Sequence, residues 1–61
     1  MNVGDLVTAK CNYVRRDQLG VIIKRRRHNL GSGDVLYTYD ILYPDDVVEI
    51  EENLLELAYA V

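Results

Sequence analysis

The apolar runs of this chain are all short, and glycine punctuates several of them. They are Val3-Gly4-Asp5-Leu6-Val7, Leu19-Gly20-Val21-Ile22-Ile23, the stretches 35–43 and 47–50, and Leu54-Leu55-Glu56-Leu57-Ala58-Tyr59-Ala60-Val61. Runs of this length, dense in β-branched residues and separated by turn chemistry, make strands. The pattern predicts an all-β fold, a small five-stranded barrel with one short 3-10 turn before the last strand. No run is long enough for a membrane-spanning helix, and the start lacks the basic, apolar pattern of a secretory leader. The 61 residues make one domain over 1–61. A chain of this size buries only about 60% of its unfolded surface. Cys11 is the single cysteine, so no internal disulfide supports the fold, and no His/Cys cluster points to zinc. Packing and association are left as the stabilisers. A lone thiol suits a reducing compartment.

The first strand is expected over 6–11, launched by a turn at Gly4-Asp5, and 12–18 reads as a long polar loop. A second strand spans 19–26. The cluster Asn29-Leu30-Gly31-Ser32-Gly33-Asp34 then turns the chain into a hairpin. The third strand, 35–43, places Val35, Tyr37, Tyr39, Ile41 and Tyr43 on one face and Leu36, Thr38, Asp40 and Leu42 on the other. Both faces are partly apolar, as in a strand that bends across a barrel. Pro44-Asp45-Asp46 is a turn, because proline fixes φ and has no N–H to donate. A fourth strand covers 47–51, Glu52-Asn53-Leu54-Leu55 forms one helical turn, and 56–61 alternates as a closing fifth strand.

Five short strands, a long first loop, a compact middle hairpin and a helical turn before the last strand resemble the SH3-like barrel. The cues are Val3-Gly4-Asp5-Leu6-Val7, Gly20-Val21-Ile22-Ile23 and Glu51-Glu52-Asn53-Leu54-Leu55-Glu56-Leu57, which together cover nearly the whole chain. The chain is most similar to small SH3-like proteins encoded by tailed bacteriophages and bacteria. At a coarser level it is similar to KOW-type nucleic-acid domains and to the small SH3-like subunits of photosynthetic complexes. It departs from the SH3 domains that bind Pro-rich ligands, whose aromatic groove includes Trp, since it has neither Trp nor Phe. Tyr37-Thr38-Tyr39-Asp40 has the look of their Tyr-rich motif but falls in the third strand. No ligand-binding residue carries over from that family.

Charge is divided along the chain. Lys10, Arg15, Arg16, Lys24, Arg25, Arg26 and Arg27 are all the cations; against Asp5 and Asp17 they give residues 1–30 a charge of +5. The eight carboxylates Asp34, Asp40, Asp45, Asp46, Glu49, Glu51, Glu52 and Glu56 give residues 31–61 a charge of −8. Asymmetry of this kind bears on partners rather than on fold. Arg15, Arg16, Lys24, Arg25, Arg26 and Arg27 are candidates for holding an acidic partner or phosphates. Along a strand, Arg25 and Arg27 point one way and Arg26 the other. Asp45, Asp46, Glu49, Glu51 and Glu52 are candidates for a partner-facing acidic edge; their spacing matches no EF-hand loop. Without Phe or Trp the tyrosines must supply the core aromatics, and Tyr13 and Tyr43 are the candidates for surface contacts.

Gly31-Ser32-Gly33 lacks the Lys and the strand-to-helix context of a phosphate loop. His28 and Cys11 have no base or orienting partner in sequence, so no catalytic constellation is read, and no metal or cofactor is expected. The expected function is a non-enzymatic interaction or assembly module with segregated basic (10–27) and acidic (34–56) surfaces. Its partner is a protein or a second copy, without membrane insertion or a small-molecule substrate. The resemblance implies a phage-encoded virion accessory or host-interaction protein, in the cytoplasm or the virion. Two alternatives stand: a KOW-like nucleic-acid module using Arg25, Arg26 and Arg27, and an accessory subunit of a redox or photosynthetic complex.

Overall fold

The computed structural model describes residues 1–10 and 18–58. It is all-β: β1 (Leu6–Ala9), β2 (Gly20–Leu30), β3 (Asp34–Leu42), β4 (Val47–Glu51), a 3-10 turn (Glu52–Leu54) and β5 (Leu55–Leu57). The strands form one antiparallel sheet in the order β4-β3-β2-β1-β5. The expected loop over 12–18, apart from Gln18, and the end of the last expected strand, 59–61, lie outside the described residues, as does Cys11 at the end of the first.

One face of the sheet supplies the core. Val7, Ile22, Tyr39, Ile41, Tyr43, Ile50 and Leu55 form a single buried cluster, with Met1, Tyr37, Val48, Leu54 and Leu57 packed against it. The cluster draws on β4 and β5, the opposite edges of the sheet, so the sheet curls around it. The expected barrel closure is corrected, because the sheet is open. The three-residue 3-10 turn carries the chain directly from β4 to β5, and β5 then pairs with β1 at the far edge. Among the described residues no ladder joins β4 to β5.

The second strand is longer than its sequence suggests. β2 runs on through Arg27, His28, Asn29 and Leu30 because β3 pairs with it as far as Leu30 opposite Asp34. Only Gly31, Ser32 and Gly33 make the turn. Gly33 has φ +88° and its N–H donates to the Leu30 carbonyl (3.1 Å); a left-handed residue closing a three-residue hairpin loop favours glycine. At the next turn the Tyr43 N–H donates to the Asp46 carbonyl (2.8 Å), and the Asp46 carboxylate accepts from the Val47 N–H (2.7 Å).

A bulge in β2 decides which side chains share a face. Ile22 pairs with Ile41 and Lys24 pairs with Asp40, so Ile23 is an extra residue. Strict alternation would place Lys24 and Arg26 on the same side as Ile22. The inserted residue instead puts them on the opposite side. Arg25 and Arg27, opposite Tyr39 and Tyr37, then lie on the face that carries the core.

Candidate interaction faces

The outer face, away from the core, has two parts. The first is an apolar row. Leu6 pairs with Val21, Val21 with Leu42, and Leu42 with Val47, so one unbroken line of apolar side chains crosses four strands. Leu6 is 39% exposed, Leu42 46% and Val47 46%; Val21, between its neighbours, is half-buried. Ile23, the bulge residue, is exposed as well. The neighbouring core row, Ile22, Ile41 and Val48, shows the contrast: Ile22 and Ile41 are wholly buried.

The second part is polar and lies beside that row. Lys24, Asp40 and Glu49 are paired across β2, β3 and β4, as are Arg26, Thr38 and Glu51 in the next row. Arg26 makes a two-pronged contact with Asp40, Nε to Oδ1 at 3.0 Å and Nη2 to Oδ2 at 2.9 Å. Such forked pairs are among the stronger polar contacts. The hydrogen bonds from Arg26 hold the Asp40 carboxyl below the usual carboxylate range, against the opposing effect of its partial burial. Asp40 in turn holds the Arg26 guanidinium more firmly protonated. The Thr38 hydroxyl donates to Glu49 Oε2 at 2.5 Å, the main cause of a lowered Glu49 pKa. His28 Nε2 lies 3.0 Å from the Thr38 hydroxyl oxygen and 3.4 Å from Glu49 Oε2.

Because both carboxyls have folded pKa values below their unfolded ones, their stabilisation is present above the ordinary carboxylate range. It is lost as pH falls through the lowered values. The urea midpoint is therefore expected to fall between about pH 5 and pH 2. Arg26→Met should flatten that fall, because Asp40 then titrates nearer its ordinary value. An unchanged slope in the variant would mean that the pair is not formed in solution.

The other face carries a different set of cations. Arg25 sits over the Tyr37 ring, 4.2 Å from its centroid, a cation–π contact. β1 pairs with β2 only at Gly20 and Val21, and β4 pairs with β3 only from Thr38 onward. The end of the β2–β3 hairpin therefore extends beyond its neighbouring strands and presents Arg27 and Asn29 on the same face as Arg25, which sits at its base opposite Tyr39.

Of the candidates named from sequence, the fold joins some and separates others. Lys24 and Arg26 share the outer face with Glu49 and Glu51; Arg25 and Arg27 are on the reverse. Asp45 and Asp46 lie in the β3–β4 turn. Glu52 opens the 3-10 turn and accepts the Tyr39 hydroxyl (3.2 Å). Burial first, and then Glu52, raises the Tyr39 pKa. Arg15, Arg16 and Tyr13 lie outside the described residues. Tyr43 as a surface contact is corrected: it is 1% exposed, because alternation along β3 carries it inward with Tyr39 and Ile41. Thr38 and His28 were missed as partners of Glu49. Only cross-strand register brings them together, and nothing in their spacing along the chain marks it.

Among the described residues no group of three or more His, Cys, Asp or Glu side chains could hold a metal ion, and no helix is long and apolar enough to cross a membrane. No family model, curated protein or solved structure matches the chain.

Proposed function

We propose that this chain is a non-enzymatic SH3-like interaction module that docks a protein on the outer face of its sheet. The observation that carries this reading is the apolar row Leu6, Val21, Leu42 and Val47, exposed at every position but the half-buried Val21 and bordered by the cations of β2 and the carboxylates of β4. A continuous apolar line with a polar border of both signs is how a protein-binding patch is built. The sequence resemblance suggests the setting, a phage-encoded virion accessory or host-interaction factor. The acidic residues Asp45 and Asp46 would extend the same border.

A second reading has its own observation. Arg27 and Asn29 on one face of a projecting two-stranded ribbon, with Arg25 at its base, suit phosphates and base edges, since a β-ribbon fits a DNA major groove. A photo-cross-linker placed at Leu42 or at Arg27, in the native host, separates the two. Docking on the outer face predicts protein adducts from position 42 and few from position 27. Nucleic-acid adducts from position 27, with none of any kind from position 42, would overturn the first reading in favour of the second.

A further inference from the structure

Resting on the outer face as a docking surface, we infer that its partner is a second copy of this chain, packed face to face about a two-fold axis parallel to β3. The argument is charge complementarity. On that face the strands run in the order β4, β3, β2, with Glu49 and Glu51 on β4 and Lys24 and Arg26 on β2, in matching rows. A two-fold axis over β3, parallel to the strands, keeps each row at its own level and exchanges the two flanking strands. Glu49 of one copy then faces Lys24 of the other, and Glu51 faces Arg26. The exposed Leu42 meets its own counterpart on the axis, and Val47 meets Val21.

The other symmetric arrangements lack this match. A two-fold axis in the interface but perpendicular to the strands lays β4 on β4, so Glu49 and Glu51 oppose carboxylates. Joining the β4 edges side by side likewise brings Glu49 and Glu51 next to their own copies, and like charges on an edge strand discourage pairing. Among the charged residues of these rows only Asp40 faces its own copy across the chosen axis, and each Asp40 is already held by its own Arg26. Two aligned sheets pack with their strands within about 30° of each other, which keeps the rows in register near the axis. The interface is isologous and closes at two copies.

Sedimentation velocity from micromolar to millimolar chain tests this. The wild type is expected to pass from one copy to two as concentration rises. Leu42→Arg, which puts two cations together on the axis, should remove the dimer while leaving the circular dichroism spectrum unchanged. Glu49→Lys and Lys24→Glu should each weaken self-association at least tenfold. Mixing those two variants should restore it as a heterodimer. The new cation at position 49 of one chain then faces the new carboxylate at position 24 of the other, and a fold damaged by either substitution would not be repaired by mixing. A monomer at every concentration overturns the inference, as does a dimer indifferent to Leu42→Arg or an absence of rescue on mixing. A monomer whose Leu42 cross-linker still captures a different protein would overturn the second copy alone and leave the docking face standing.

Discussion

Tyr43→Ala is expected to cost about 3–5 kcal/mol, the range for removing a buried aromatic side chain. Tyr43 is among the largest fully buried side chains and packs in the cluster with Tyr39, Ile41 and Ile50. A domain of this length has roughly 3–9 kcal/mol of stability in all, so the variant should be largely unfolded near 40 °C and its urea midpoint should collapse. Leu42→Ala, one residue away on the opposite face and 46% exposed, should change stability by no more than about 1 kcal/mol. The pair of variants separates core from surface along one strand. Comparable small effects in both would return Tyr43 to the surface.

Gly20→Ala is the second large effect. Gly20 is buried opposite Val7 in the β1–β2 ladder, and a Cβ there would overlap the Ile41 Cγ2 methyl and crowd the Tyr43 ring at 3.0 Å. Ile41 is wholly buried and cannot step aside freely. Overpacking of this kind costs about 1–3 kcal/mol. The responsible atom is the β-branch methyl, which leucine lacks. Gly20→Ala should therefore cost less in an Ile41→Leu background, with a coupling on the order of 1 kcal/mol between the two positions. Additive costs in a double-mutant cycle from urea unfolding would place the strain elsewhere.

These expectations show where sequence reading succeeds and where it stops. The turn at Gly31-Ser32-Gly33, the limits of β4 and the inward set Tyr37, Tyr39 and Ile41 follow from turn chemistry and alternation, which are local. Tyr43 belongs to that same alternation, which runs one residue past β3 to the edge of the turn at Pro44, where position in the turn and position in the pattern point opposite ways. The Ile23 bulge is not local. Val21-Ile22-Ile23 are all apolar and β-branched, so nothing in the run marks one of them as the inserted residue. Pairing with β3 alone reveals it, and with it which face each part of the basic cluster takes: alternation separates Arg26 from Arg25 and Arg27, but the bulge puts Arg26 outward and the other two on the side of the core. The opposite charges that stand apart along the chain meet in the fold, because β3 lies between β2 and β4 and Asp40 binds Arg26. The apolar row was hidden for the same reason: Leu6, Val21, Leu42 and Val47 come from four segments and form a line only through register.

The outer face as the surface on which two copies meet can be tested by following backbone amide chemical shifts of the isotopically labelled chain as its concentration is raised. The account predicts shifts confined to Val21, Lys24, Arg26, Leu42, Val47, Glu49, Glu51 and their immediate neighbours on the outer face, with Arg27 and Asn29 unmoved. Shifts confined to Arg27, Asn29 and the rest of the reverse face, or none up to millimolar chain, would contradict it.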